Sequence, residues 1–308
     1  MKVLFVSSGN RGISPIVINQ GDSLKKQSVS VDYFPIYGKG VLGYLSNVGK
    51  FKKHIKENSY DIIHAHYSLT AFVTSLAKAS PLVVSLMGSD VKKGFVYRKL
   101  IQLFAFLFSW KTIIVKSEDM KASLKIDKAI VIPNGVDLCR FRELNSSDCQ
   151  KELGWDENKK HILFPANIAR PEKNYKLLEQ ALLELDGKDL EIHWFNNIPN
   201  EETPIWYNAA DVVVMTSLWE GSPNAIKEAM ACNRPIVSTK VGNVDWLFGS
   251  TEGCYFTDFS AIDCADKIRL ALSLKGKTNG RQRIIDLGLS NDLVAKRLLE
   301  IYNEVLKR

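Results

Sequence analysis

Residues 216–237 read TSLWEGSPNAIKEAMACNRPIV, and this stretch decides the fold of the half of the chain that contains it. An uninterrupted apolar run at 212–215 precedes it, a segment of helical length lies at 223–232, and a second apolar run begins at residue 235. Continuous apolar runs joined through a helix are typical of neighbouring parallel strands that are buried on both faces. The stretch therefore predicts a strand, a crossover helix and the next parallel strand.

The loop of this stretch combines a helix start with two carboxylates. Ser222 is predicted to cap the helix and Pro223 to take its first position, and the free backbone amides there favour a negatively charged group. Gly221 permits a close backbone approach, while Glu220 and Glu228 lie on either side of the helix start. Two carboxylates that flank an anion site suit a nucleotide sugar, whose hydroxyl groups lie on both sides of its phosphates. The alternative is a capped helix with two solvated glutamates.

The same alternation extends over the rest of the chain. Strands are predicted at 3–7, 61–66, 82–86, 112–115 and 129–132, and again at 161–165, 190–195, 212–215, 235–238 and 254–256. Helical segments are predicted at 41–55, 69–79, 95–109, 175–185, 223–232 and 262–274 and from residue 291, whereas 144–160 reads as a polar loop. Two series of buried strands separated by helices predict two doubly wound α/β domains with parallel sheets.

The domain boundary is predicted within the polar loop, and the charge differs on its two sides. The first domain is placed at 1–148 and the second at 149–290, while 291–308 is predicted as a helix whose return to the first domain is left open. Residues 1–148 contain 21 Lys and Arg against 11 Asp and Glu, and the whole chain of 308 residues contains 41 against 34. The positive charge is therefore confined to the first domain. This charge is compatible with binding to nucleic acid, to an anionic membrane surface or to an acidic ligand. The alternative is a charge that serves solubility and binds no partner.

Composition excludes several classes of protein. With 45% hydrophobic and 24% charged residues, the chain resembles globular proteins rather than disordered or low-complexity ones. Its five cysteines are scattered and form no Cys-x-x-Cys pair, which argues against a disulfide framework and for a reducing compartment. The first apolar run is too short for a signal peptide, and the run at 100–110 is too short to span a membrane. We expect a cytoplasmic location.

The decisive stretch resembles the retaining glycosyltransferases of glycosyltransferase family 4. The resemblance covers residues 210–237, where Ala-Asp-Val is followed by Glu220-x7-Glu228 within EGSPNAIKEAMACNRPIV. It implies the GT-B fold, in which two Rossmann-like domains face each other across a cleft. It also implies that Glu220 contacts the donor sugar near its anomeric centre and that Glu228 binds the ribose hydroxyls. The loop around the sugar and distal phosphate corresponds to the backbone of Gly221, Ser222, Pro223 and Asn224.

A second part of the resemblance is a basic pair after the first strand of the second domain. Lys173 corresponds to the family's phosphate-binding lysine, and a fixed cation there would stabilise the departing nucleoside diphosphate. The family's arginine lies five residues before that lysine, where this chain has Ile168, so Arg170 is the substitute candidate. The predicted catalytic residues are therefore Glu220, Lys173 and Arg170.

The first domain contributes weaker matches. Gly9, Asn10 and Gly12 fill the family's glycine-containing loop, which faces the donor phosphates, and a simple strand–helix connection is the alternative. His66 resembles the family's strand-end histidines and is predicted to line the cleft and contact the acceptor. Two alternatives for His66 are a structural histidine and, together with His64, half of a metal site that lacks an evident third ligand.

Residues 87–90, Met-Gly-Ser-Asp, occupy the place of the family's His-Gly-x-Asp. Met87 stands where the histidine beside the reacting sugar is expected, so no imidazole is available for catalysis at that position. Asp90 is retained and is a candidate cleft residue, with helix capping as the alternative.

The resemblance implies an enzyme that moves a hexose-type sugar from a nucleoside diphosphate sugar, with retention, to a hydroxyl of a glycan or lipid-linked acceptor. The process would be cell-surface polysaccharide or glycolipid synthesis. No cofactor and no metal are expected, because basic side chains and helix amides replace the cation. One alternative is a catalytically reduced GT-B subunit of a glycan-synthesis complex. Another is a nicotinamide-dependent Rossmann enzyme, which requires a G-x-G-x-x-G loop and an acidic residue at the end of the second strand, and neither has a convincing match here. Nucleic-acid binding rests on charge alone and is not expected.

The helical segment at 95–109 bears on the partners of the first domain. It is rich in aromatic residues, and it lies close in sequence to the basic residues Lys92, Lys93, Arg98, Lys99 and Lys111. One reading is a core helix. The other is a helix at an anionic membrane surface, which would place the protein peripherally on the inner face of the membrane near a lipid-linked acceptor.

Overall fold

The computed structural model describes residues 1–92, 94–108, 110–185 and 189–307. The chain divides into two compact units. The first unit contains Met1–Gly135 and Asn291–Arg308, and the second contains Val136–Ser290. Each unit has its own sheet and its own hydrophobic core.

The first unit is built on a six-stranded sheet in the order β2-β1-β3-β4-β5-β6, and every strand pair is parallel. Its strands are β1 (Lys2–Ser8), β2 (Ser30–Ile36), β3 (Ile62–His66), β4 (Leu82–Ser85), β5 (Thr112–Val115) and β6 (Ile130–Val131). The sequence patterns predicted all of these except β2. That strand lies at the sheet edge and contains Asp32 and Pro35, so it lacks the continuous apolar run of a central strand.

The described residues before the second unit form seven helices: α1 (Pro15–Lys25), α2 (Gly40–Leu45), α3 (Val48–Glu57), α4 (Ser68–Leu76), α5 (Gly88–Lys92), α6 (Phe95–Leu107) and α7 (Glu118–Leu124). The predicted helical segment at 41–55 is two helices. Asn47 separates them, because its side-chain amide donates to the carbonyls of Tyr37 at 2.7 Å and Gly43 at 2.9 Å. Lys93 and Ser109, which belong to the basic and helical segment discussed in the sequence analysis, lie outside the described residues.

The second unit is built on a five-stranded sheet in the order β11-β10-β9-β7-β8, again with parallel pairs. Its strands are β7 (Lys160–Phe164), β8 (Leu190–Trp194), β9 (Val212–Met215), β10 (Ile236–Thr239) and β11 (Cys254–Thr257). All five agree with the sequence prediction to within a residue or so at each end. The central strand β9 is a short apolar run, whereas the edge strand β8 alternates apolar and polar residues as Leu-Glu-Ile-His-Trp.

The helices of the second unit are α8 (Ser146–Leu153), α9 (Tyr175–Leu183), α10 (Thr203–Ala209), α11 (Asn224–Ala231), α12 (Val244–Phe248), α13 (Ala261–Leu272) and α14 (Gly280–Asp286). The prediction of a loop at 144–160 was wrong, because α8 lies there. Asn145 caps this helix by accepting from the amide of Asp148 at 3.2 Å, and Gly154 ends it at a φ of 68°. The polar composition reflects a helix that buries little more than Cys149.

The last helix, α15 (Asn291–Lys307), belongs to the first unit. Its Leu298 and Tyr302 are fully buried in the cluster that contains Val3 and Phe5 of β1. The end of the chain therefore belongs to the first unit. The chain passes from the first unit to the second after Gly135, and not after residue 148 as the sequence analysis predicted. The segment between these two positions joins the second unit because its apolar residues, such as Phe141, pack in the core of that unit.

No helix among the described residues is long and apolar enough to cross a membrane.

Candidate active site

The carboxyl edge of the second sheet holds an ion pair between Lys173 and Glu220. Lys173 Nζ donates to Glu220 Oε1, and each side chain is only 14% exposed. Ser217 Oγ donates to the same oxygen at 2.9 Å. No hydrogen bond from the described residues reaches the other oxygen, Oε2, so the carboxylate keeps an acceptor for a ligand while its charge is compensated.

Two loops position this pair. Lys173 ends a 3-10 turn, Pro171–Lys173, which follows β7. Thr216, directly after β9, bonds through its hydroxyl to the carbonyls of Lys173 at 3.1 Å and Asn174 at 2.8 Å, and Leu218 donates its amide to the Glu172 carbonyl at 2.9 Å. The loop after β9, which carries Glu220, is thereby fixed to the turn that carries Lys173.

The helix after this loop starts one residue later than predicted. Pro223, not Ser222, is the N-cap residue, and α11 begins at Asn224. No side chain caps the helix start, because proline offers no side-chain acceptor. Ser222 Oγ instead accepts from the buried Lys227 Nζ at 3.3 Å. The uncapped amides at the start of α11 remain suited to an anionic group.

Glu228 lies one turn inside α11 and is partly buried. Its Oε2 accepts from the buried Tyr207 hydroxyl at 2.9 Å. Burial raises the pKa of the Glu228 carboxyl, against the lowering effects of the Tyr207 bond and of the neighbouring Lys227 and Arg140 charges. The carboxylate is therefore held in place from within the unit, which the sequence did not indicate because Tyr207 belongs to another helix.

Two further residues beside this loop were missed by the sequence analysis. Gly242 has a φ of 58°, and a Cβ there would lie 2.6 Å from the Gly221 carbonyl oxygen and 3.0 Å from the Glu220 carbonyl carbon. Only glycine fits at this contact. Within the described residues, the buried side-chain oxygen and nitrogen of Asn243, the next residue, have no hydrogen-bond partner, and neither has the buried side-chain oxygen of Asn224. Unpartnered buried amides of this kind suit a bound polar ligand.

Arg170 is not part of the Lys173 pair. Its exposed guanidinium donates to Glu172 Oε1 from Nε at 2.9 Å and from Nη2 at 2.6 Å. Its predicted role as the second catalytic cation remains a prediction, and it requires release from Glu172.

In the first unit, the predicted glycine loop is a turn fixed to the strand next to it. Gly9 contacts Pro35 and Tyr37 so closely that a Cβ would lie 2.7 Å from each. The Asn10 amide exchanges two hydrogen bonds with the Gly38 backbone, at 2.7 and 2.8 Å. Gly12 has a φ of 78° and an open surrounding. The loop is thus held by its own unit, with Gly12 free to approach a ligand.

His66 ends β3 in the interior of the first unit. Its ring contacts Phe5 at a centroid distance of 4.6 Å and stacks on His64 at 4.2 Å. Burial, reinforced by the charge of Lys116, lowers the pKa of His66 to about 3, so the imidazole is neutral at pH 7. Its Nε2 has no hydrogen-bond partner within the described residues. His64 bonds to Tyr302 at 2.6 Å and Ser85 at 2.8 Å, which leaves it no nitrogen for the metal pair considered above.

Lys116, which follows β5, is a second group that the sequence did not single out. It is 2% exposed, and burial alone lowers its pKa to about 8. No carboxylate among the described residues compensates it, so the first unit has a buried, uncompensated ammonium near the carboxyl edge of its sheet.

Asp90 is completely buried and accepts hydrogen bonds from its own unit. Its carboxylate accepts from the Met87 amide at 2.5 Å, the Ser68 amide at 3.0 Å and the Ser68 hydroxyl. Ser68 is the first residue of α4, so the carboxylate fixes that helix start. This geometry favours the capping alternative over a cleft role.

Two family profiles match the chain. The profile described as Glycosyltransferase Family 4 matches residues 9–140, and the profile described as Glycosyl transferases group 1 matches residues 168–273. The first begins at the loop of Gly9, and the second contains Lys173, Glu220 and Glu228.

Two curated relatives and one solved structure agree with these profiles. Bacillus subtilis (strain 168) TuaC, whose name assigns it to teichuronic acid biosynthesis, is 26% identical over 68% of this chain and 60% of its own length. An Escherichia coli UDP-Gal:alpha-D-GlcNAc-diphosphoundecaprenol alpha-1,3-galactosyltransferase is 27% identical over 68% of this chain and 66% of its own. The matches thus span less than two thirds of each relative.

Anabaena HepE, solved in complex with UDP and glucose, superimposes with a TM-score of 0.75 at 18% identity, over 99% of this chain and 100% of that chain. This similarity shows the GT-B fold. The profiles, the relatives and the fold agree with the Glu-x7-Glu motif, and the chain belongs to glycosyltransferase family 4.

Proposed function

We propose that the chain transfers a hexose from a nucleoside diphosphate sugar to a hydroxyl group, with retention at the anomeric carbon. The observation that carries the proposal is the buried Lys173–Glu220 pair beside the uncapped start of α11. A cation, free helix amides and a carboxylate with one free oxygen are the groups that a diphosphate joined to a sugar requires.

Each group has a role in this reaction. Lys173 and the α11 amides stabilise the diphosphate as the glycosidic bond breaks. Glu220 Oε2 accepts from a donor-sugar hydroxyl, and Glu228, fixed by Tyr207, accepts from the ribose. The acceptor hydroxyl attacks from the face that the diphosphate leaves, and a donor phosphate oxygen takes its proton. No protein base, metal ion or cofactor is required, and Met87 is consistent with this mechanism.

The known proteins favour a uridine nucleotide. HepE binds UDP in its solved complex, and the E. coli relative is named for a UDP-galactose donor. The test is a thermal-shift screen of UDP-, GDP- and ADP-sugars with the full chain, followed by transfer assays with the donors that bind. We expect stabilisation by a UDP-sugar and turnover insensitive to EDTA. Tight nucleotide binding without turnover on any acceptor would instead support the alternative of a catalytically reduced scaffold subunit.

The acceptor is proposed to be a glycan or a lipid-linked saccharide in cell-surface polysaccharide or glycolipid synthesis, reached at the inner face of an anionic membrane. The E. coli relative, whose name contains a diphosphoundecaprenol acceptor, supports the lipid-linked class. The first unit offers a surface for the membrane. Helix α6 buries only Ile101 and Ala105, while several large apolar side chains on it are exposed: Phe95, Val96, Leu103, Phe106 and Leu107.

Sedimentation with vesicles tests this surface. Phe106 is 80% exposed, and Phe106→Ser is expected to weaken binding to anionic vesicles about tenfold without changing stability. Leu183, 83% exposed in the second unit, provides the matched control as Leu183→Ser. Equal binding of the wild-type protein to neutral and anionic vesicles, or equal losses in both variants, would contradict the proposal.

A further inference from the structure

Three side chains that the transfer reaction does not use converge on one face of the second sheet. In the parallel register of β7 and β8, His161 lies opposite Glu191, and His193 lies two residues further along β8. Residues two apart on a strand share a face, so the three side chains meet beside the edge strand.

Their nearest polar atoms form a small triangle. His161 Nδ1 is 3.0 Å from His193 Nε2 and 3.7 Å from Glu191 Oε2, and His193 Nε2 is 3.9 Å from the same Oε2. A point equidistant from three atoms at these separations lies about 2.1 Å from each, which is the length of a bond from Zn²⁺ to imidazole nitrogen or carboxylate oxygen.

Hydrogen bonds to the other polar atoms of His161 and Glu191 leave Nδ1 and Oε2 available as ligands. His161 Nε2 lies 3.0 Å from the Asp156 carbonyl, which only accepts, so Nε2 carries the proton and Nδ1 has the lone pair. Lys159 Nζ donates to Glu191 Oε1 at 2.8 Å, which leaves Oε2 for the histidines. A carbonyl behind a metal-bound imidazole is the usual support of such a ligand.

Packing holds the His193 ring in place. The ring of Trp155 stacks on His193 at a centroid distance of 3.4 Å and an interplanar angle of 5°. Both imidazoles are therefore oriented, and the edge strand β8 is connected to β7 through their contact.

We propose that His161 Nδ1, His193 Nε2 and Glu191 Oε2 bind one divalent transition-metal ion, with Zn²⁺ as the chemical type. Two imidazoles and one carboxylate form a three-ligand set that leaves a fourth position for water. The ion would connect the edge strand to β7 and have no part in sugar transfer. The competing reading is a metal-free pair in which His193 Nε2 donates to His161 Nδ1.

The experiment is a titration of the EDTA-treated full chain with Zn²⁺ by calorimetry and with Co²⁺ by visible absorption. We expect one ion per chain and a Co²⁺ spectrum of nitrogen and oxygen ligation. Glu191→Gln keeps the size and a hydrogen-bonding group but removes the charged ligand, and it is expected to weaken Zn²⁺ binding by at least about 100-fold. His193→Gln is expected to do the same.

Two controls separate the site from other ligands. His54→Gln removes a histidine that contacts Tyr60 in the first unit and should leave binding unchanged. Cys139→Ser removes the exposed free thiol and should also leave it unchanged. Absence of 1:1 binding in the wild-type chain, or wild-type affinity in Glu191→Gln, would establish the metal-free histidine pair. These readouts are independent of any transferase assay.

Discussion

The carboxyl edges of the two sheets carry similar kinds of ionisable residue but compensate their charges differently. In the second unit, Lys173 is paired with Glu220 and Glu228 with Tyr207. Among the described residues of the first unit, Lys116 is buried without a counter-ion, and His66 is neutral with one nitrogen that has no hydrogen-bond partner. The second edge is thus organised in advance for a charged ligand, whereas the first edge bears a cost in stability.

The pH responses of the two edges follow from this difference and have opposite signs. Burial raises the pKa of Glu228, so protonation in acid favours the folded second unit. Burial lowers the pKa of His66, so the histidine is protonated in the unfolded first unit at a pH at which it is still neutral in the folded unit. Acid therefore favours the unfolded state of the first unit. The substitutions and pH changes below test this difference between the two edges.

The largest effect is expected from removal of the second edge's cation. Lys173→Met should lower the rate of sugar transfer about 10²- to 10³-fold, because the departing diphosphate loses its fixed positive charge. Steady-state transfer from a UDP-sugar measures it. Arg170→Met is the matched control, and since Arg170 is paired with Glu172 on the surface, we expect a loss below about tenfold. Equal losses would show that Arg170 leaves Glu172 and acts with Lys173.

Lys116→Met should stabilise the protein. The pKa of Lys116 is about 8 in the folded chain, below the ordinary lysine value of 10.5, so the ammonium opposes folding fully below pH 8. Stability therefore rises as the pH rises from 8 towards 10.5. Methionine keeps the stem without the charge and is expected to add on the order of 3 kcal/mol at neutral pH. Urea denaturation provides the measurement. A less stable variant would mean that the ammonium is compensated, and a stable variant with reduced transfer would assign Lys116 to substrate binding.

Acidification should destabilise the first unit. The pKa of His66 is about 3 in the folded chain against 6.5 in an unfolded one, so stability is lost as the pH falls through 6.5 towards 3. The loss due to His66 at pH 5 is about 2 kcal/mol relative to pH 7. Denaturation of wild type and His66→Phe at both pH values checks this, since the phenyl ring keeps the contact with Phe5 and cannot titrate. An unchanged pH slope in the variant would assign the acid sensitivity elsewhere, with His64 as the next candidate.

The smallest effect is expected from Tyr207→Phe. The variant removes the hydroxyl that orients Glu228 and keeps the buried ring, so the affinity for a UDP-sugar should fall about 5- to 10-fold, the equivalent of one hydrogen bond. Calorimetric titration with the donor measures it, with UDP alone as a second ligand because the ribose is common to both. A loss confined to the sugar-bearing ligand would contradict the role of Glu228 at the ribose.

The sequence was a good guide to the sheets and to the identity of the second edge's residues. Ten of the eleven strands among the described residues were predicted, because parallel strands buried on both faces are rich in apolar residues. Helix starts were predicted less well: Ser222 was expected to cap α11, but Pro223 is the N-cap. The loop before the helix is fixed by the bond of the Thr216 hydroxyl to Lys173 and by the close contact of Gly221 with Gly242.

By itself, the sequence determined the two α/β units and the Glu-x7-Glu segment, because strand burial and helix spacing are local patterns along the chain. Only the tertiary structure decided which charges meet. Glu220 reaches Lys173 across 47 positions, Glu228 reaches Tyr207 across 21, and His161 reaches His193 across 32. It also decided that Lys116 has no counter-ion in the part of the chain that the structure describes and that α15 packs with the first unit. Whether a charge is compensated depends on which residues the order of the strands brings close to it. The residues that flank a charged side chain in the sequence do not indicate that order.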